Sequence, residues 1–313
     1  MENTKLNIYS HPECLQHISH PERPERLEVL LALFEEMGLG VADAPYAPIE
    51  SVYNVHNANY VTALMRLSQN CAEDEDALYK SNQPRDEVDI NIGSYDAAMR
   101  AAGAGCQAVD DIFAEKTNRA FCAVRPPGHH AELALAMGFC LFNNAFITAR
   151  HAQEHHGVKR VAIIDFDVHH GNGAEMMASV YDDVFAISSH QDDLYPVGRG
   201  TTASNLDSKV LNVPLRDGDT ITEVMTAYNE KIFPALDKFK PELIIIAAGF
   251  DAHKDDDISG IQLESEDYAT LTALLVEAAN THCAGRIVST LEGGYNLEAL
   301  KESVRHHILA LQG

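Results

Sequence analysis

Basic residues are scarce in this chain. Lys and Arg number 23 against 47 Asp and Glu, a formal net charge of −24 with histidine neutral. That surplus repels phosphate backbones and anionic lipid headgroups, so neither nucleic acid nor a membrane surface is an expected partner. Cysteine is sparse too: there are six, with no CxxC pair, and a chain of 313 residues buries a core without covalent staples. No apolar run approaches the roughly 18 residues of a membrane span. The opening MENTKLNIYSHPE lacks the basic-then-apolar order of a signal peptide, and a cytoplasmic location is the expectation. No repeat, low-complexity tract or composition shift marks a linker, so residues 1–313 read as one domain. An apolar fraction of 46% excludes general disorder. The scattered acids then read as a solvated surface.

What is present alternates. Short β-rich runs at Leu6–Tyr9, Ala120–Val124, Val161–Phe166, Val184–Ser188, Leu243–Ala248 and Ile287–Leu291 are separated by segments of helical spacing. Those segments are Glu25–Met37, Ser94–Glu115, Asn144–His155, Ile221–Lys238, Ser265–Asn280 and Leu297–Leu311. Several runs are apolar on both faces, as strands of a parallel sheet covered by helices must be. The pattern predicts an α/β domain. Ligands bind beyond the carboxyl ends of such strands, so the residues after each run are where chemistry is sought.

Four of those places carry it. Asp165, Asp167 and His169 close the run from Val161, and period-2 alternation projects them to one side. Two carboxylates and an imidazole at a buried strand end are costly unless a positive charge sits among them. A metal ion meets that need; a salt-bridged strand end is the plainer alternative. Oxygen and nitrogen donors suit zinc, and also iron, manganese or cobalt. Asp251, after the run ending at Ala248, sits where a third ligand would arrive, although alone it reads as a helix cap. Three protein ligands leave a position for water or substrate. After Val124, Arg125-Pro126-Pro127-Gly128 makes a stiff turn able to hold His129 and His130 at different angles. Asp165 and Asn172, one charged and one neutral, are the natural partners that would separate the roles of the two rings. By contrast His155-His156 and His306-His307 read as surface pairs on helices. Finally, Gly293 and Gly294 permit close backbone approach, and Tyr295 beside them can donate to a polarised carbonyl; Gly-Gly-Tyr also occurs as a simple turn.

Together these motifs resemble the zinc-dependent histone deacetylase superfamily. The resemblance is carried by Arg125–His130, Gly138–Asn144, Asp165–Gly173, Gly249–Asp257 and Gly293–Leu297, and His20–Leu27 is similar to that family's N-terminal segment. Asn172 stands where class I members usually carry Asp, so the chain looks closest to class II enzymes and their bacterial relatives. The resemblance implies a three-layer arginase-like fold around a central, mostly parallel eight-stranded sheet. It implies Zn²⁺, with Fe²⁺ as the alternative native metal, on Asp167, His169 and Asp251. It also implies a structural K⁺ near Asp165, Asp167, His169, Ser188 and Ser189, bound partly through backbone carbonyls. The implied substrate is an N-acyl amide of a primary amine, most often acetyl-lysine in a peptide or protein. His130 would be general base and then general acid, with Asn172 as its partner. His129 with Asp165 would be an electrostatic helper, and Tyr295 would polarise the acyl carbonyl. Gly138, Phe139, Tyr195 and Ile258 would line the substrate tunnel, and Arg26 would lie near an internal acetate channel.

Two positions depart from the family's pattern: Tyr195 replaces a usual Phe and Asp257 replaces a common Pro. Ile258 is informative in another way, since it stands where the similar eukaryotic polyamine deacetylase carries a gatekeeping Glu. An aliphatic gate favours neutral acyl-lysine over a cationic polyamine. The acidic surface pulls the other way, but scattered charge is screened beyond about 10 Å at moderate salt. An amidohydrolase for acetylpolyamines or another small acetylated amine is thus the second reading. An arginase-like dimanganese hydrolase and a non-catalytic acetyl-amine sensor are more distant ones. The polar segment Cys71–Ile92 reads as a rim or dimer loop, which leaves a homo-oligomer open.

Overall fold

Val161–Asp165 and Leu243–Ala248 are buried at every position. Aliphatic side chains on both faces of a strand find partners only when helices cover both faces of its sheet. The structure, a computed structural model, describes residues 6–71, 79–80, 88–181, 183–200 and 209–313. Its strands are β1 (Leu6–Ser10), β2 (Val41–Asp43), β3 (Tyr79–Lys80), β4 (Asp89–Ile90), β5 (Arg119–Cys122), β6 (Val161–Asp165), β7 (Val184–Gln191), β8 (Val210–Leu215), β9 (Leu243–Ala248) and β10 (Ile287–Leu291). Its helices are α1 (Glu25–Glu36), α2 (Ile49–Tyr53), α3 (Ala58–Asn70), α4 (Ser94–Phe113), α5 (Asn144–His156), α6 (Asn172–Ala178), α7 (Ile221–Ala227), α8 (Phe233–Phe239), α9 (Asp267–Cys283) and α10 (Leu297–Gln312). Eight strands form one parallel sheet in the order β2-β1-β5-β10-β9-β6-β7-β8. Helices α4 and α5 pack on one face and α1, α9 and α10 on the other, which makes the three layers of an arginase/deacetylase fold. Where α4 crosses α5, a Cβ at Gly105 would meet Thr148 Oγ1 at 1.8 Å, so only glycine lets the two helices approach.

Two strands of this sheet carry no signal in the sequence. β2 is exposed at all three residues, and β8 contains Pro214, tolerable because the strand lies at the sheet edge. The segment read as one helix over 221–238 is two, α7 and α8, joined by a π-helical turn at Tyr228–Ile232. Of the segment read as a rim or dimer loop, residues 72–78 and 81–87 lie outside the described residues. All six cysteines are unpaired, and no helix among the described residues is long and apolar enough to cross a membrane.

Register sets up the site. Cys122 of β5 lies opposite Thr290 of β10, Thr290 opposite Ala247 of β9, and Ala247 opposite Asp165 of β6. The carboxyl ends of four adjacent strands therefore finish in one row. The loops that leave them, from parts of the chain more than 100 residues apart, emerge side by side. The chain runs β5 then β6, yet β10 and β9 lie between them in the sheet, the topological switch at which α/β proteins place their ligands.

The pair His306-His307 does not behave as a surface pair. His306 is half-buried, whereas His307 is fully buried, between Thr272 Oγ1 at 2.6 Å and Ser289 Oγ at 2.9 Å and against the rings of Phe121, Phe166 and Phe250. Burial pushes its pKa down to about 3. The folded state thus resists a proton that the unfolded chain accepts near pH 6.5. His307 adds its stability above that pH and loses it as pH falls toward 3, by about 1.4 kcal/mol per pH unit. Urea denaturation at pH 6.5 and pH 4.5 should show His307→Gln losing less stability with acid than the wild type. Equal losses would refute the assignment.

Candidate active site

The turn after β5 is pinned from several sides. Asn144 Nδ2 donates to the Pro126 carbonyl (3.1 Å), and Asn143 Nδ2 to that of Ala131 (3.2 Å), while the Asn143 Oδ1 caps α5. Below it, Glu292 Oε2 accepts from the backbone N–H groups of Gly128 (2.7 Å) and His129 (3.1 Å). The two imidazoles leave this turn 3.9 Å apart between ring centres and take different partners. His129 Nδ1 lies 3.0 Å from Asp165 Oδ2, and His130 Nδ1 lies 2.7 Å from Asn172 Oδ1. Asn172 Nδ2 is already donating to Glu132 Oε1 (2.9 Å) and the His130 carbonyl (3.2 Å), so Oδ1 accepts and His130 Nδ1 carries the proton. Nε2 of His130 is then left with its lone pair.

Electrostatics separates the two rings. Burial opposes charge on both. For His129 the carboxylates of Asp167 and Asp165 outweigh it and hold the pKa well above 6.5. For His130 burial is reinforced by its positive neighbours His129 and His169, and the pKa lies well below 6.5.

Beyond β6 the chain bends. Asp165 Oδ1 accepts from the Asp167 N–H (3.0 Å), which turns Asp165 toward His129 and away from Asp167's other partners. The period-2 expectation that all three side chains point together therefore holds for Asp167 and His169, which meet Asp251. His169 Nδ1 is 3.0 Å from Asp167 Oδ1 and 3.1 Å from Asp251 Oδ2. Burial would lower the His169 pKa, but its hydrogen bonds to the two carboxylates raise it to about 10. The chain approaches this trio closely: a Cβ at Gly293 would meet Asp251 Oδ2 at 2.1 Å, one at Gly249 would meet Asp167 Oδ2 at 2.1 Å, and the Gly293 N–H donates to Asp167 Oδ2 (2.8 Å). Space for the carboxylates is thus what both glycines supply.

One cavity of about 210 Å³ joins these parts. Pro21, His130, Gly138, Phe139, His169, Tyr195, Ile258 and Tyr295 line it. Phe139 and Tyr295 face one another with ring centres 6.0 Å apart, and Tyr195 stands edge-on to His130 at 5.0 Å. Gly138 (φ 54°) and Phe139 (φ 64°) are both left-handed; a Cβ at Gly138 would meet His130 Cδ2 at 2.2 Å. Burial and the nearby Asp251 push the Tyr295 pKa well above 10, so its hydroxyl stays a donor.

Arg26 is not among the lining residues. It is fully buried behind Tyr295, its guanidinium 5.0 Å from the ring centre, and it donates to the carbonyls of Glu292 and Gly294. Ser188 and Ser189 lie beside Asp165 on β7, with Ser189 Oγ 3.3 Å from the Asp165 carbonyl and Ser188 Oγ accepting from the Gly171 N–H (3.2 Å).

Three residues to which the sequence motifs assign no role brace this site. Glu22 is fully buried against Arg26 (2.6 Å) and Arg125 (2.6 Å), Glu292 holds the histidine turn, and Asp256 Oδ2 accepts from the N–H groups of Tyr295 (2.6 Å) and Asn296 (3.1 Å). Only Glu22 announces itself locally, as an i,i+4 partner of Arg26. The other two act through loops that are distant in sequence.

Known proteins are similar to this chain over nearly all of its length. The family described as "Histone deacetylase domain" matches residues 20–311. A histone deacetylase-like amidohydrolase of Pseudomonas aeruginosa is 37% identical over 290 residues, covering 91% of this chain and 74% of that one. The polyamine deacetylase HDAC10 of Homo sapiens is 34% identical over 330 residues, covering 100% of this chain and 47% of its own length. The crystal structure of the HDA15 HD domain superposes with a TM-score of 0.88 at 30% identity, covering 99% of this chain and 90% of that one. The chain belongs to the histone deacetylase family of amide-hydrolysing enzymes.

Proposed function

We propose that the protein is a zinc-dependent deacylase that hydrolyses the N-acetyl or N-acyl amide of lysine side chains to a carboxylate and a free amine. One observation carries this reading: His130, His169 and Tyr295 line a single cavity, with Asp167 and Asp251 directly behind His169. The donor set fits the metal. Edges of 3.0 and 3.1 Å between His169 Nδ1 and the two carboxylates approach the roughly 3.3 Å edge of a tetrahedron with zinc bond lengths of about 2.0–2.1 Å. Two oxygens and one nitrogen also accept Fe²⁺. A bound zinc ion supplies a water of lowered pKa and a Lewis-acid contact for the acyl oxygen.

The chain's own groups do the rest. His130 Nε2, its lone pair kept free by Asn172, takes the proton of the attacking water and returns it to the leaving amine nitrogen. His129 stays protonated against Asp165 and favours the negative charge that builds up. Tyr295 donates to the acyl oxygen. Gly138, Phe139, Tyr195 and Ile258 hold the aliphatic arm and exclude water. We assign the K⁺ site to Asp165, Asp167, His169, Ser188 and Ser189, and residues 1–313 to one catalytic domain. Arg26 would meet departing acetate behind Tyr295.

A groove next to the cavity favours a second reading, an acetylpolyamine as substrate. It shares Pro21, Ile258 and Tyr295 with the cavity, and its charged lining is Asp255, Asp256, Asp257 and Glu298 against Arg23, a net acidic set. Ile258 at the cavity itself outweighs them, because a cation passing an aliphatic wall loses hydration without gaining a partner. Zinc-loaded protein should give a higher kcat/KM on an acetyl-lysine peptide than on acetylspermidine or acetylputrescine; the reverse order would make the acidic groove the better guide. Tyr295→Phe should lower kcat by about 10²–10³ on either substrate, as removal of one oxyanion donor does. Retained activity would exclude Tyr295 from the chemistry.

A further inference from the structure

The deacylase site leaves unexplained a second cluster of metal-ligand residues, on the face of the sheet covered by α4 and α5. Asp110 lies in the last turn of α4, and His151, His155 and His156 lie in the last two turns of α5. His151 Nε2 is 2.8 Å and His156 Nε2 is 2.7 Å from the same oxygen, Asp110 Oδ1, and the three donor atoms all lie within 4.8 Å of one another. We propose that Asp110, His151 and His156 form a second metal site, separate from the cavity, that takes a divalent cation of the zinc type.

Two imidazole nitrogens and one carboxylate oxygen are the donors zinc prefers. Opening the two contacts by about 0.5 Å gives the roughly 3.3 Å edges of a tetrahedral set with bonds of about 2.0–2.1 Å. The rings are already oriented. Ser51 Oγ, fully buried, bonds His151 Nδ1 at 3.1 Å and so turns Nε2 toward Asp110. This outer partner is the kind that fixes metal-binding histidines. The His156 ring is stacked on Phe113 with ring centres 4.9 Å apart and planes 17° from parallel. Access differs from that of the catalytic cavity: the Asp110 side chain is 45% exposed and His156 22% exposed, so a hydrated cation reaches the donors from solvent and keeps a water in the fourth position. His155, exposed and 4.4 Å from His151 between ring centres, is a nearby imidazole that can replace that water. Such an ion would tie the end of α4 to the end of α5.

The test counts metal on the intact enzyme. Holoenzyme is dialysed against micromolar free Zn²⁺ and its bound zinc is measured, for wild type, Asp110→Asn and His156→Ala. The expected result is one equivalent fewer in each variant than in wild type, with kcat/KM on an acetylated amine unchanged. In wild type alone, raising free Zn²⁺ to about a hundredfold over the site's Kd should raise Tm by about 3 °C or more. Equal zinc content in all three proteins would overturn the proposal. So would a variant that loses zinc and activity together, because the ion removed would then be the catalytic one.

Discussion

His130→Ala is expected to lower kcat by about 10²–10⁴-fold, the usual contribution of a positioned general base, while leaving the metal content and the fold intact. Orientation is the reason. Asn172 Oδ1 accepts from Nδ1 at 2.7 Å, so Nε2 is the free nitrogen, and His130 lines the cavity beside His169 and Tyr295. His129 is the control. Its Nδ1 is held by Asp165 at 3.0 Å, its Nε2 is 3.9 Å from Asp167, and it does not line the cavity. The same substitution at His129 should therefore cost less. The comparison is made by steady-state kinetics on the zinc-loaded variants, with bound zinc measured in parallel. A greater loss at His129 would reverse the two roles.

Glu22→Ala is expected to destabilise the protein by about 3–5 kcal/mol, the cost of leaving a buried charge without its partner. Glu22 accepts from Arg26 Nη1 at 2.6 Å, and from Arg125 Nε at 2.6 Å and Nη2 at 2.7 Å; all three residues are fully buried. Burial alone would raise the Glu22 pKa, but the two guanidinium groups outweigh it and keep the carboxylate ionised. Activity should fall as well, because Arg26 holds the carbonyls on either side of Gly293 and sits against the Tyr295 ring. Urea denaturation measures the first effect. The exposed pair Lys301–Glu36 supplies the contrast: its 2.8 Å contact is solvated, and Lys301→Ala should leave the midpoint unchanged. A Glu22→Ala midpoint close to wild type would show that water reaches the two arginines.

The central strands and the long helices were legible in the sequence because burial writes itself into composition. LIIIAA and VAIID read as doubly covered strands and are so. The strand β2, exposed and three residues long, and β8, an edge strand containing proline, lack that signal, since edge strands need bury only one side. His307 shows the opposite failure. Its dipeptide with His306 looks polar, and only the hydroxyls of Thr272 and Ser289, 35 and 18 residues away, make its burial affordable.

At the candidate site the residues proposed to do the chemistry stood out in the sequence because they cluster in short motifs just after strands. Residue type and position relative to a buried run sufficed to single out His129, His130, Asp165, Asp167, His169, Asp251 and Tyr295. Their braces were not readable. Glu292 works on Gly128 across 164 residues, and Asp256 on Tyr295 across 39. By itself the sequence determined the α/β class, the candidate donors for a metal and the pair of adjacent histidines, because each is a local property of composition and spacing. Tertiary structure alone decided which histidine faces the cavity, which buried acid carries which arginine, and that α4 and α5 bring Asp110 to His151 and His156. Those outcomes depend on sheet register and helix packing, which place residues far apart in the chain within a hydrogen bond of each other.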